Sequence, residues 1–199
     1  MSVERHLRAL ETAVDGPLCL GELTHRMHHS GFGLIVIFVC LPFLQPLPMG
    51  GLSSVLGPFI AFVGLQLARG RTELALPAWI AKRTLETRTL SLLLGVARKF
   101  FFLAEKVSRP RCQALARNAR AAGAGIALSG ALLALPFPIP LSNVICAAPA
   151  TLLALGLLEE DGLFSVLGWL GMFVSIAFHV GLFLLGVEGT LALWRAAFS

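Results

Sequence analysis

An apolar run of 25 residues, Leu163–Val187, limits the fold of this chain more sharply than any other feature. As a helix it reaches about 37 Å, more than the roughly 30 Å hydrocarbon core of a bilayer. Trp169 near its start and Trp194 beyond its end suit the two interfaces. Four shorter apolar segments precede it, at Gly31–Leu47, Leu52–Ala68, Ala121–Leu135 and Leu141–Leu158. The chain is 56% hydrophobic and 14% charged, against about 25% charged in an ordinary soluble domain. There is too little polar surface to cover a water-soluble globule. Collagen-like and disordered classes fall as well, because aliphatic residues dominate and the 20 glycines and 11 prolines follow no short period. The expected fold class is an all-α integral membrane protein.

Proline organises the shorter segments in pairs. Between the first two lies Pro46-Leu47-Pro48-Met49-Gly50-Gly51, long enough for a tight turn only, and between the third and fourth lies Pro136-Phe137-Pro138-Ile139-Pro140. Each pair reads as a helical hairpin, with Pro46 and Pro48 forming one tip and Pro138 and Pro140 the other. The two are related by an internal repeat. Leu41-Pro42-Phe43 recurs as Leu135-Pro136-Phe137, Pro46-Leu47-Pro48 as Pro138-Ile139-Pro140, and Leu52-Ser53-Ser54-Val55 as Leu141-Ser142-Asn143-Val144. Repeated short segments interrupted by Pro and Gly are the pattern that points to a transporter binding site.

Charge divides the rest. Twelve of the 16 basic residues fall between Arg69 and Arg120. That block reads as a basic amphipathic linker lying on the cytoplasmic surface against anionic lipid, in preference to a nucleic-acid site. Within it, Leu90–Leu103 is split by Arg98-Lys99, a costly pair for a span, so a surface helix is expected. If it does span, the two hairpins become inverted. The chain thus divides as one membrane domain over 1–199: an amphipathic N-terminal arm at 1–30, the first hairpin at 31–68, the basic linker at 69–120, the second hairpin at 121–158 and the final transmembrane helix at 163–187. The N-terminus is expected inside and the C-terminus outside, with no cleaved signal. The four cysteines lack a CxxC pair, so no disulfide framework or zinc site is expected. His25, His28 and His29 with Glu22 read as a surface cluster and not a metal site. No cofactor is implied.

Several motifs, taken in order, resemble one family. Phe32-Gly33, Pro46-Leu47-Pro48, Gly51-Leu52-Ser53, Leu65-Gln66-Leu67 with Arg69-Gly70-Arg71, and Leu155-Gly156-Leu157-Leu158-Glu159 before Asp161-Gly162 are similar to the ExoD family of bacterial membrane proteins associated with exopolysaccharide synthesis. The resemblance covers roughly residues 18–185 and implies an inner-membrane, multi-pass location; it supplies no catalytic residues. The chain departs from the family pattern at Glu160, where a basic residue is expected.

A hairpin whose tip stops inside the membrane leaves the N-terminus of its second helix there, with free N–H groups and the positive end of the dipole. Ser53 and Ser54 in one copy, and Ser142 and Asn143 in the other, stand where caps belong. Together they are candidates for one anion or phosphate site. His179 is the ionisable residue well inside the last span and a candidate for proton handling. Glu159, Glu160 and Asp161 are expected to be solvated at the cytoplasmic face. Three functions follow: translocation of a lipid-linked phosphate carrier, ion- or proton-coupled transport, and a non-catalytic scaffold for a polysaccharide synthase. An enzyme is not expected, and a homodimer is the expected assembly for so small a chain.

Overall fold

The computed structural model describes residues 28–44, 51–71, 74–75, 116–135 and 142–198. The N-terminal arm, the four hairpin prolines Pro46, Pro48, Pro138 and Pro140, and most of the basic linker lie outside the described residues. The described elements are all helical: α1 (His28–Cys40) with a 3-10 turn (Leu41–Leu44), α2 (Leu52–Ala68), α3 (Ala119–Leu133), α4 (Ser142–Glu159) and α5 (Gly162–Phe198). α1 stops at Cys40 because Pro42 has no N–H to continue the ladder, and the chain tightens into the 3-10 turn instead. α2 and α4 carry Pro58 and Pro149 in their interiors.

The helices do not pack chiefly as the two sequence-local hairpins. α2 lies most extensively along α3, and α1 lies on α4, while α1 and α2 touch only lightly. α3 also meets α4, and α5 covers α4. The α2–α3 contact is made by small residues. Gly57, Ala61, Gly64 and Ala68 on α2 and Gly123, Ala127, Gly130 and Ala134 on α3 repeat one spacing, G-x3-A-x2-G-x3-A. Each glycine faces backbone across the seam. A Cβ built on Gly57 would lie 2.6 Å from the Ala134 nitrogen, and Gly64 stands in the same relation to Ala127. Such stripes let helices approach closely where no hydrophobic drive separates them from lipid.

Gly57 pairs with Ala134 and Gly123 with Ala68, so α2 and α3 are antiparallel. Gly33 near the start of α1 meets Leu158 near the end of α4, and Gly125 early in α3 meets Leu153 late in α4. Three charged ends therefore gather at one end of the bundle: Arg69 and Arg71 after α2, Arg117 and Arg120 at the start of α3, and Glu159–Asp161 between α4 and α5. Since α2 ends and α3 begins at this same end, the two hairpins run parallel to each other and are not inverted. The core between them is built on Phe32, Ile37, Phe43, Ile60, Leu67, Ile126 and Leu153, all fully buried.

Two helices are long and apolar enough to cross a membrane, α4 and the first 25 residues of α5, Gly162–Gly186. Gly31–Leu44, Leu52–Ala68 and Ala119–Leu133 are shorter apolar helices. α5 presents Leu170, Phe173, Val174, Phe183 and Leu184 outward.

Candidate functional site

The site begins at a turn. α4 ends in a Schellman arrangement in which the Asp161 N–H donates to the Gly156 carbonyl at 3.2 Å, with Glu160 in the left-handed region at φ 52. Asp161 then starts the next helix, its Oδ1 accepting the Leu163 N–H at 2.9 Å. A carboxylate at this position caps a free donor and meets the positive end of the α5 dipole. Asp161 is fully buried, and not solvated as the sequence alone suggested. Glu160 is the exposed member of the acidic trio. It accepts two hydrogen bonds from Arg117, at 2.9 and 3.2 Å, where its departure from the family pattern left no partner in view.

This turn folds α5 back antiparallel along α4. Gly156 faces Ser165, Leu153 packs over Gly168, and Pro149 meets Gly171. One turn further, Cys146 faces Ser175 at 3.6 Å. Continuing the same register by one more turn brings Ser142, the first residue of α4, level with His179. Both side chains are buried.

His179 belongs to a closed hydrogen-bond circuit. Its Nδ1 lies 2.8 Å from the Ser175 carbonyl, which can only accept, so Nδ1 carries the proton of the neutral ring. That leaves the Nε2 lone pair toward Cys146 Sγ at 3.6 Å. The Ser175 hydroxyl donates to the same sulfur, which frees the thiol proton to point at Nε2. Ser175, Cys146 and His179 thus hold one another in register across the α4–α5 seam. Phe178 stacks edge-on against the imidazole, with ring centroids 5.5 Å apart. The ring can take up a proton at Nε2 without losing its bond to Ser175; the thiol then turns from donor to acceptor.

The other candidate residues separate. Ser53 is buried and Ser54 exposed in the first turn of α2. Neither caps it: Gly51, at φ 79, stands at the N-cap, and no side chain bonds there. Asn143 is half-buried in the first turn of α4. α2 and α4 have different principal partners, α3 for the first and α5 for the second. Among the described residues no three His, Cys, Asp or Glu side chains gather as a metal site would need.

Two further polar contacts fix the charged end. Gln66, buried in α2, donates from Nε2 to the Ala75 carbonyl at 3.1 Å and accepts the Ala75 N–H at 2.9 Å, tying the chain after α2 back onto the helix. The Arg120 guanidinium lies over Gly70, which ends α2 at φ 75. Each of these cations, Arg117 and Arg120, thereby reaches a helix C-terminus, where the dipole favours it. Cys146 and Ser175 belong to no motif in the sequence. The signal was present: residues equidistant from a tight antiparallel turn lie opposite each other.

Comparison with known proteins gives a family. Residues 3–181 match the family described as "Exopolysaccharide synthesis, ExoD". Protein ExoD of Rhizobium meliloti is 34% identical over 154 residues, covering 73% of this chain and 62% of that protein. An uncharacterized protein of Synechocystis sp. is 28% identical over 141 residues, 69% of this chain and 65% of its own length. The chain therefore spans somewhat less than two thirds of either relative. No solved structure matches it.

Proposed function

From the premise that this chain belongs to the ExoD family of exopolysaccharide synthesis, we propose that it is a multi-pass protein of the bacterial inner membrane that translocates an anion, the phosphate of a lipid-linked carrier, through the N-terminal end of α4. The observation that carries this reading is the buried Cys146–Ser175–His179 circuit one turn from the start of α4, in a register that sets Ser142 level with His179. A helix N-terminus offers unsatisfied N–H groups and about half a positive charge, which suits a phosphate without a buried arginine.

Helix lengths support a site below the membrane surface. α5 stays apolar through Gly186, seven residues past His179, or about 10 Å further along the axis. The α4 tip is therefore submerged relative to that helix. The packing supports the internal repeat too. Exchanging the first hairpin for the second converts the α2–α3 pair into the α4–α1 pair, and both are seen. Parallel repeats meeting near a substrate site are a known transporter plan. In this reading the basic stretch at 69–120 holds anionic lipid at the cytoplasmic face.

The test uses the full chain in liposomes with a labelled polyprenyl phosphate. Ser142→Asp keeps a residue the α4 dipole favours, but repels a phosphate. It is expected to abolish transport in well-folded protein, while Ser142→Ala slows it only modestly. Wild-type transport by Ser142→Asp would show that no anion passes there.

A further inference from the structure

We propose that the seam between α3, α4 and α5 is a proton path from the charged end to His179, closed by Leu153, so that the proton is the coupling ion of the anion site. The inference rests on the reading above for what is coupled, and on separate residues for the path.

Buried polar groups in an apolar bundle need a reason. Along the inner face of α5 they fall in two sets. At the charged end stand Asp161 and, one turn on, Ser165, whose hydroxyl lies against Gly156; both are buried. At the far end stand Ser175, Cys146 and His179 in their hydrogen-bond circuit. α3 adds a group beside the second set. Gly125 faces Leu153 and Trp169, so Ser129, one turn further on the same face, is level with Pro149 and Gly171. Ser129 is 1% exposed, and its hydroxyl has no hydrogen-bond partner among the described residues. A buried hydroxyl left alone is a place for a water molecule. Ser129 stands about 5 Å along the axis from the Ser175–Cys146 level, within reach of one bridging water.

Between the two sets lies an apolar gap. Ser165 and the level of Ser129 are separated by about 9–10 Å, and Leu153 fills the interval. Its side chain is fully buried and seated between two glycines, Gly125 on α3 and Gly168 on α5; a Cβ on Gly168 would come within 2.7 Å of Leu153 Cγ. The glycines themselves supply no side chain at that contact, and the Trp169 ring closes the same level from α5, so Leu153 is the side chain seated where a short file of waters would have to pass. Retraction of Leu153 joins the two sets and lets a proton move from Asp161 through Ser165 and Ser129 to Nε2 of His179. The proton adds to the Nε2 lone pair, Nδ1–H stays on the Ser175 carbonyl, and release at the far end restores the neutral ring. The titratable group facing His179 from α4 is Cys146; α3, the other helix against α5, carries Ser129 near that level and its charge, Arg120, at the opposite end.

The experiment is proton uptake by proteoliposomes of the full chain, driven by a potassium diffusion potential, read by a trapped pH dye, with no lipid phosphate present. Wild type is expected to be nearly tight. Leu153→Ala is expected to raise uptake several-fold, and the extra flux is expected to vanish in Leu153→Ala/His179→Gln and to fall in Leu153→Ala/Asp161→Asn, where asparagine still caps α5. If Leu153→Ala does not fold, Leu153→Val carries the test, with a smaller rise that again requires His179. A tight Leu153→Ala or Leu153→Val variant overturns the path, as does a leak that survives loss of His179. Because no phosphate is present, these outcomes leave the Ser142→Asp result to decide the anion site by itself.

Discussion

Gly130→Ala is the smallest change that asks whether backbone contact between α2 and α3 holds the bundle together. An added Cβ would lie 2.7 Å from the Gly57 carbonyl oxygen and 2.8 Å from Ala61 Cα, and closer still to the Ala61 nitrogen. All three are backbone atoms and cannot rotate aside. Ordinary contact needs about 3.4 Å or more, so the helices must part by the better part of an ångström. Overpacking of this kind costs about 1–3 kcal/mol, and the upper end applies because separation also loosens Gly57, Gly64 and Gly123. Alanine returns up to about 1 kcal/mol through its helix propensity. The net expectation is destabilisation by about 2 kcal/mol. Gly181→Ala is the control: nothing lies within 4 Å of a Cβ there, so it is expected to be neutral or stabilising by up to about 1 kcal/mol. Unfolding in mixed micelles, followed by tryptophan fluorescence, compares the two. Equal midpoints for Gly130→Ala and Gly181→Ala would refute the reasoning, because the only ground for a difference is the seam.

Gln66→Leu removes both bonds to Ala75 and leaves a backbone N–H and carbonyl to find other partners; a loss of about 1–3 kcal/mol and faster amide exchange at Ala75 are expected by mass spectrometry. Glu160→Gly relieves a left-handed residue worth about 1 kcal/mol and gives up an exposed ion pair worth at most about that, so thermal stability is expected to hold or rise, with the smallest benefit at low salt where the pair with Arg117 counts most. Single cysteines at the exposed positions Ala75 and Arg117 are expected to resist an impermeant external thiol reagent alike, because α2 leaves and α3 enters at the same end of the bundle; labelling of one without the other would contradict the parallel hairpins.

Element boundaries were legible where punctuation was strong. Leu52–Ala68 is bounded by Gly50-Gly51 and by Arg69-Gly70, and the structure keeps those limits. α3 and α4 start and stop within two residues of the expected segments. Pairing was not legible from hydropathy, since helices that are apolar nearly all round show no face to assign. Sequence proximity then favoured α1 with α2, whereas the matched glycine–alanine spacing in α2 and α3 held the better clue. The serines of Leu52-Ser53-Ser54 looked like caps by residue type, but a glycine before them can adopt the left-handed backbone that starts α2 without a side-chain bond. Asp161 looked solvated because charge usually is; its place after a left-handed Glu160 makes it a cap instead.

The placing of Ser142 level with His179 follows from one constraint. A two-residue turn at Glu160–Asp161 sets residues at equal distances from it opposite each other, and these two lie 18 residues to either side in an antiparallel pair that never breaks register. No comparable partner stands beside Ser53 among the described residues, because α5 covers α4 and has no described counterpart over α2, where Val55, Phe62 and Leu65 face outward. The two hairpins are alike in direction and unlike in what covers them. An imidazole therefore stands against the first turns of α4, on Cys146. The cover of α5 thus gives α4 a buried polar circuit, while α2 is the rail against which α3 is locked by glycine.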